Sequence, residues 1–191
     1  TPYAYFQGNI IPLCEAKIGI MTHAFNYGTA VFEGIRGNWN EEAQTTYLFR
    51  TREHMERLGQ SSHILGLQMK DSPEKLCEIA VELVERSGFT EDVYLRPMVY
   101  LSGEVLGVRL HNVESDTLIF LSPFPAYLPE TARCHTSTWR RVQDTGIPPR
   151  AKVTGIYVNS ALAKSEANAN GFDEAIMLNE NGHVSEGSGE N

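Results

Sequence analysis

The sequence predicts an α+β fold in which strands and helices follow one another in mixed order. Three features support this prediction: short apolar stretches bounded by turn residues, one strongly amphipathic helix, and a proline-rich interruption. We place a small α+β domain over residues 1–125, an interdomain linker over 126–134 and the start of a larger domain over 135–191. The final hairpin is followed by no closing element, so we expect the second domain to be truncated in this chain.

The first elements are predicted from their turn residues. Residues 3–12 are expected to form two short strands around a Gly8-Asn9 turn. Residues 30–36 and 45–50 are expected to form a second hairpin, with the polar loop 38–44 between them. A helix should begin near Thr51.

The clearest predicted element is the next helix. Asp71 or Ser72 can cap it, Pro73 suits its first turn, and Gly88 can end it. Its apolar residues recur at helical spacing on one face, at Leu76, Ile79, Ala80, Leu83 and Val84. Residues 93–101 and 117–121 are then predicted to be strands.

The second part of the chain follows the segment 122–129, which contains three prolines. Proline lacks the N–H that a central strand needs, so this segment is the best linker candidate. We expect a strand near 134–139, a turn at Pro148-Pro149 and a helix over 158–170 closed by Gly171. The last predicted hairpin joins residues 175–178 and 183–185 across Asn181-Gly182.

Composition excludes several classes of function. A net charge of −8 over 191 residues disfavours binding to nucleic acid or to an anionic membrane. The six histidines include no metalloprotease-type spacing, so no metal site is expected. The three widely spaced cysteines, Cys14, Cys77 and Cys134, are expected to be free thiols in a reducing, cytoplasmic compartment.

One lysine stands out among the five in the sequence. Lys70, Lys75 and Lys164 have polar surroundings and are expected to be solvated. Lys152 lies between small and apolar residues at the boundary of an element, where desolvation favours the neutral amine that Schiff-base chemistry requires. Because lysine is rarely buried, the pattern alone still favours a surface lysine at a strand end.

Two arginines and one carboxylate are further candidates. Arg57 lies beside the buried helix positions Met55 and Leu58. Arg96 lies inside an apolar strand and needs an anionic partner, for which either Glu33 or a carboxylate ligand would serve. Glu186 lies at a strand end before two glycines, where it could face a pocket; a flexible polar loop is the alternative.

Six segments together resemble the branched-chain amino acid aminotransferases, a branch of the fold-type IV pyridoxal 5'-phosphate (PLP) enzymes. The resemblance covers essentially the whole chain. It is carried by segments 26–36 (NYGTAVFEGIR), 52–58 (REHMERL), 94–97 (YLRP), 106–108 (LGV), 151–157 (AKVTGIY) and 185–191 (SEGSGEN). It implies a two-domain fold similar to that of D-amino-acid aminotransferase, and transamination between leucine, isoleucine or valine and 2-oxoglutarate in branched-chain amino acid biosynthesis.

The resemblance also implies roles for single residues. Lys152 matches the lysine that carries PLP covalently and moves the substrate proton. Cofactor contacts are implied for Arg57 with the phosphate, Tyr157 with the phenolic oxygen, Glu186 with the pyridine nitrogen, and Asn191. Substrate contacts are implied for Phe32, Gly34, Tyr94, Arg96 and Tyr127, and for Tyr27 and Val108, which match positions lent to a neighbouring subunit of a homodimer or higher homo-oligomer.

Other readings stay open at this stage. The chain could be a D-amino-acid transaminase, an amine transaminase or a PLP lyase of the same fold. Because relatives of this family continue for roughly another third of their length, it could also be an inactive fragment that needs a missing C-terminal part.

Overall fold

The computed structural model describes residues 2–124 and 129–190. These residues form two compact units. The first contains residues 2–124 together with Ala151–Thr154, and the second contains residues 129–150 and 155–190. The short segment that carries Lys152 therefore packs with the first unit, although the sequence places it well after the linker.

The described part of the first unit contains a seven-stranded antiparallel sheet. Its strands are β1 (Tyr3–Phe6), β2 (Asn9–Pro12), β3 (Ala30–Phe32), β4 (Ile35–Asn40), β5 (Thr45–Leu48), β6 (Val93–Leu101) and β7 (Ser115–Pro123). The strand order is β2-β1-β7-β6-β4-β5, and β3 also pairs with β6. The long strand β6 thus organises the sheet, and the prediction for it is confirmed at both ends.

Three helices accompany this sheet: α1 (His23–Tyr27), α2 (Thr51–Ile64) and α3 (Pro73–Ser87). The predicted ends of α3 are confirmed, because Ser72 Oγ accepts the N–H of Lys75 and Gly88 adopts the left-handed conformation that closes a helix. The predicted apolar face is buried apart from Val84, which is half-buried. Helix α2 packs on β3 and β6, and α3 packs on β1 and β7, so the core lies between the helices and the sheet.

The first hairpin differs from its prediction by one residue. Its turn consists of Gln7 and Gly8, with φ of 49° and 81°, and Asn9 already pairs with Phe6 in the ladder. Two positive φ values in a two-residue loop match the twist of the adjoining strands. Glutamine is not a usual residue at such a position, which is why the sequence pointed to Gly8-Asn9.

The predicted strand 30–36 is wrong as a single element. It divides into β3 and β4, which keep one continuous register on β6, with Phe32 opposite Met98 and Ile35 opposite Leu95. The division lies opposite Pro97, whose nitrogen cannot donate to the ladder. The Pro97 carbonyl still accepts the Glu33 N–H at 2.9 Å. In addition, β4 extends to Asn40, so the polar loop is shorter than predicted.

The second unit contains a smaller sheet of β8 (Cys134–Thr136), β9 (Glu174–Leu178) and β10 (Val184–Gly187), together with helix α4 (Tyr157–Ala169). Strands β8 and β9 are parallel, whereas β9 and β10 form the predicted hairpin. Helix α4 covers the sheet through a small buried cluster of Ala163, Ala167, Ala175 and Met177. The predicted α+β class is confirmed, and β8 is shorter than the predicted strand.

Two further observations concern the chain as a whole. The three cysteines are free thiols, as predicted, with Cys14 and Cys134 exposed. None of the helices in the described ranges is long and apolar enough to cross a membrane.

Candidate active site

Lys152 is held between β3 and α2 by its main chain. Its carbonyl accepts the N–H of Phe32 at 3.0 Å, and its own N–H donates to Ser61 Oγ on α2 at 3.4 Å. Val153 forms an isolated bridge with Val31. The half-buried side chain places Nζ 5.1 Å from the centre of the Phe32 ring. The lysine that the sequence singled out is therefore fixed within the first unit, beside an aromatic ring.

Arg57 belongs to an ionic cluster that joins α2 to the buried Glu33, the residue after β3. Its Nε and Nη2 donate to the two carboxylate oxygens of Glu33 at 2.6 and 2.7 Å, and His54 Nδ1 lies 2.8 Å from Oε2. Glu33 is completely buried, whereas half of the Arg57 side chain is exposed. Burial alone would raise the pKa of Glu33, but the hydrogen bonds from His54 and Arg57 outweigh it and lower the pKa below its ordinary value. A bidentate contact of this kind fixes the plane of the guanidinium.

Arg96 stacks on aromatic rings and does not pair with Glu33. Its guanidinium carbon lies 4.2 Å from the centre of the Phe32 ring and 5.1 Å from that of Tyr94, and its Nε donates to Tyr94 Oη at 3.1 Å. Within the described ranges, no carboxylate lies within ion-pair distance of Arg96. Of the two partners expected from the sequence, Glu33 is thus excluded by its contacts with Arg57.

Gly34 is a position where the chain leaves room for Tyr94. A Cβ at this position would lie 2.4 Å from Tyr94 Oη and 2.9 Å from two ring carbons. The Tyr94 ring also stacks on Phe124, with 5.8 Å between the ring centres. A side chain at Gly34 must therefore push Tyr94 out of its place beside Arg96.

We expect Gly34→Ala to disturb this aromatic group more than the rest of the fold. Overpacking costs about 1–3 kcal/mol, and displacement of Tyr94 should release Arg96 from its ring contacts. The measurements are urea unfolding and the near-ultraviolet circular dichroism of the aromatic side chains. Gly146→Ala is the control, since its nearest contacts would be an ordinary 3.4 Å. Equal behaviour of the two variants would show that Gly34 has no role in holding Tyr94 in place.

Tyr27 and the loop that contains Val108 meet at the surface of the first unit. Tyr27 Oη accepts the Gly107 N–H at 2.9 Å, and His23 Nε2 lies 2.7 Å from the Gly107 carbonyl oxygen. Val108 itself is 78% exposed. Two residues that the sequence proposes for a neighbouring subunit are thus brought to one place.

In the second unit, Glu186 is paired with an arginine that the sequence analysis did not identify. Arg141 Nε donates to Glu186 Oε1, and the two side chains are 13% and 29% exposed. The Arg141 N–H donates to the Leu178 carbonyl at 2.9 Å, which fixes the arginine beside β9. Tyr157 is the first residue of α4 and is half-buried.

Two predicted site residues, Tyr127 and Asn191, lie outside the described residues. Three contributors were missed: Ser61, Glu33 as the partner of Arg57, and Arg141. Ser61 carries a weak signal in the sequence, because it follows Met55 and Leu58 at a spacing of three, and a serine on that apolar helix face suggests a polar contact. Arg141 has no such signal, since Arg140 precedes it and no periodicity separates the two.

The chemistry available differs between the two units. The first offers a primary amine beside an aromatic ring, a fixed guanidinium and an aromatic-stacked arginine. The second offers a carboxylate held by an arginine. Across residues 2–124 and 129–190, no group of three His, Cys, Asp or Glu side chains is arranged to hold a metal ion.

Comparison with known proteins points to one family. The model of the family "Amino-transferase class IV" matches residues 30–191. The chain is 48% identical to a probable branched-chain-amino-acid aminotransferase of Aquifex aeolicus, over 99% of this chain and 61% of that protein. The chain thus spans about three fifths of the length of this curated relative.

Solved structures agree in fold. A branched-chain aminotransferase of Thermoproteus uzoniensis, crystallised with norvaline, superimposes with a TM-score of 0.95 at 43% identity, over 100% of this chain and 64% of that one. The PLP-bound enzyme of Thermobaculum terrenum superimposes with a TM-score of 0.90 at 34% identity, over 98% of this chain and 62% of that one. Such values indicate that the chain shares the fold of these structures.

Proposed function

The chain belongs to the class IV aminotransferase family, and from this premise we propose that the complete protein catalyses PLP-dependent transamination of branched-chain L-amino acids with 2-oxoglutarate. The proposal draws on the similarity to branched-chain aminotransferases and on the residues of the two units. Bound PLP acts as an electron sink that weakens the Cα–H bond of an attached amino acid. The side chains of this protein would bind and orient the cofactor and the substrate, and would move the proton that leaves Cα.

The observation that carries the proposal is that Lys152 and Arg57, far apart in the sequence, are bound by the consecutive residues Phe32 and Glu33 at the end of β3. Lys152 hydrogen-bonds to Phe32 and Ser61, and Arg57 to Glu33. An amine and a guanidinium fixed in one unit fit an aldehyde cofactor that carries a phosphate. Lys152 would carry PLP covalently and then move the proton that leaves Cα, while Arg57 would bind the phosphate.

Glu186 in the second unit provides a carboxylate that suits the pyridine nitrogen of PLP. Glu186 is ionically paired with Arg141, so the carboxylate is held in one orientation. An anion at this position would keep a proton on the pyridine nitrogen, which the electron-sink chemistry requires. We assign contacts with the phenolic oxygen to Tyr157 and a supporting contact to Asn191.

The substrate pocket is assigned to Phe32, Gly34, Tyr94 and Arg96, together with Tyr127. Aromatic rings without a fixed anion suit the apolar side chains of leucine, isoleucine and valine. The guanidinium of Arg96, which lies against the Phe32 and Tyr94 rings, would bind the distal carboxylate of glutamate and 2-oxoglutarate. One pocket could thus accept both partners of the reaction.

A substrate panel tests this function. The complete protein should transfer the amino group of L-leucine, L-isoleucine and L-valine to 2-oxoglutarate with kcat/KM at least about 100-fold above the values for D-alanine and for simple primary amines. The discrimination arises because the pocket must position the apolar side chain and the α-carboxylate at once, and only the L configuration at Cα places both correctly. A preference for the D-amino acid or the amine would reassign the protein to another activity of the same fold.

We also propose that the active site is shared between two copies of the chain. Near Tyr27 and Val108 in the sequence, four apolar side chains are 66–84% exposed: Ile20, Phe25, Leu106 and Val108. The contacts of His23 and Tyr27 with Gly107 hold the two segments together. Exposed apolar side chains in adjoining segments are typical of interaction sites, and a two-fold dimer is the commonest arrangement.

Mixing two inactive variants of the complete protein, Tyr27→Asp and Lys152→Ala, should restore activity if the site is shared. After random subunit exchange, half of the dimers are mixed and each holds one intact pocket, so about a quarter of the wild-type activity should return. Activity and the mass of tagged subunits would be followed together. Exchange without recovery would contradict sharing, and so would full activity of Tyr27→Asp by itself.

The division of the chain into domains is part of the same proposal. We assign residues 1–125 to the small domain, 126–134 to the linker and 135–191 to the start of the PLP-binding domain. Three free thiols suit a reducing compartment, and we propose the cytoplasm as the site of action.

A further inference from the structure

Strand β10 contains an extra residue just before Glu186. Val184 is opposite Leu178 on β9, but Glu186 is opposite Met177, so Ser185 forms a bulge. A slip of one residue in a β-ladder carries each following side chain to the other face of the sheet. The position of this bulge therefore decides which face of the sheet Glu186 presents.

Ser188, two residues after Glu186, is bound by a buried carboxylate at the start of β9. This carboxylate belongs to Glu174, which is 5% exposed, as is Ser188. Glu174 Oε1 accepts the Ser188 O–H at 2.5 Å, the Ser188 N–H at 3.4 Å and the Ala175 N–H at 2.6 Å. One oxygen thus bridges the two strands at the point where their backbone pairing ends.

The second oxygen of this carboxylate is neutralised by a lysine on α4. Lys164 Nζ lies 2.5 Å from Glu174 Oε2 and donates to the Asp173 carbonyl at 2.7 Å. Its side chain is 25% exposed, so the expectation of a solvated Lys164 is wrong. Burial alone would raise the pKa of Glu174, but the hydrogen bonds from Lys164 and Ser188 lower it, which favours the ionised acceptor.

We propose that Glu174 is a positioning residue, which holds Ser188 and so fixes the bulged register of β10 that orients Glu186. The inference rests on the proposed function, in which Glu186 faces the pyridine nitrogen of PLP. The hairpin is closed at its other end, where the Asn179 N–H donates to the His183 carbonyl at 2.8 Å. With both ends held, the pairing of β10 with β9 places the extra residue at Ser185.

Glu186 lies one residue after the bulge and two before Ser188, so its orientation depends on the register of this segment. Arg141, whose N–H donates to the Leu178 carbonyl, donates through Nε to the Glu186 carboxylate. Loss of the Glu174–Ser188 contact would release the end of β10, so that the extra residue could be lost from the ladder and Glu186 turned away from Arg141.

The test compares Ser188→Ala and Glu174→Gln with Glu186→Gln in the complete protein. Ser188→Ala removes one charge-assisted hydrogen bond, and we expect about a tenfold loss of kcat with KM for leucine changed less than threefold or so. Glu186→Gln should keep PLP bound and slow the half-reaction about tenfold to a hundredfold. Ser185→Ala, an exposed serine of the same strand, is the matched control and should behave like the wild type.

A second measurement needs no cofactor. Amide hydrogen exchange of residues 184–187 in the PLP-free protein should become about tenfold faster in Ser188→Ala and in Glu174→Gln, and stay unchanged in Ser185→Ala. Wild-type exchange and wild-type kcat in both variants, beside a slow Glu186→Gln, would overturn the positioning role and leave the proposed function intact. A fully active Glu186→Gln with bound PLP would overturn the role of Glu186 itself and the inference with it.

Discussion

Replacing Lys152 by alanine is expected to lower the transamination rate of the complete protein about 10⁴-fold or more. In the proposed site, the variant loses both the amine that would attach PLP and the group that would move the Cα proton. The fold should be retained, because Lys152 is held by its main chain, through Phe32 and Ser61, and alanine keeps these contacts. The measurements are the rate with L-leucine and the visible absorbance band of covalently bound PLP, which should disappear.

A matched lysine provides the control for this experiment. Lys75 is exposed on α3 and pairs only at the surface with Glu78, at 3.1 Å. Lys75→Ala should keep both the absorbance band and the rate. If Lys152→Ala retained the band, another lysine would carry the cofactor and the proposed site would be wrong.

Replacing Glu33 by glutamine is expected to have the second large effect. The amide keeps one acceptor oxygen but turns an NH₂ group towards the donors of Arg57 or His54, at a position that is completely buried. Hydrogen bonds to a buried charge contribute about 1.5–3 kcal/mol each, so we expect about 2–3 kcal/mol of lost stability. Because the guanidinium plane of Arg57 is no longer fixed, PLP affinity should fall about tenfold.

The pH dependence of this effect has a defined sign. The folded protein holds the pKa of Glu33 below its unfolded value. The stabilising contribution is therefore complete above the unfolded value, about 4.3, and is lost as the pH falls through the lower folded value. The difference in unfolding free energy between wild type and Glu33→Gln should shrink below about pH 4.

Glu53→Gln is the control, since it removes a carboxylate from the same helix α2. Glu53 pairs with Arg50 at the surface, with side chains 52% and 62% exposed, and such pairs contribute less than about 1 kcal/mol. Urea unfolding at neutral pH would compare the two variants. Equal stabilities would mean that the buried cluster around Glu33 contributes no more than a surface pair.

Much of the fold could be predicted from local signals. Helix α3 was predicted from its cap, its proline and its closing glycine, and β6 from an apolar run of the right length. The errors occurred where a distant part of the chain decides the structure. The division between β3 and β4 depends on Pro97 in the neighbouring strand, and no feature of residues 30–36 indicates it.

The site was predictable in its residue types and less so in its contacts. Lys152 stood out because its neighbours are apolar, although that pattern alone favoured a surface position. Resemblance to a family supplied the roles, and these stay predictions. Partners brought together from distant segments, such as Glu33 with Arg57, Arg141 with Glu186 and Lys164 with Glu174, could not be read from spacing.

The proposal that Lys152 carries PLP is tested most directly by borohydride reduction of the PLP-loaded complete protein, followed by peptide mapping. Reduction makes the link between the cofactor and its lysine permanent, so the labelled peptide identifies the residue. We predict that the label is found on Lys152 alone, within the segment that carries Val153 and Tyr157. Label on Lys164 or any other lysine, or a protein that binds PLP without becoming labelled, would contradict the attachment of PLP to Lys152.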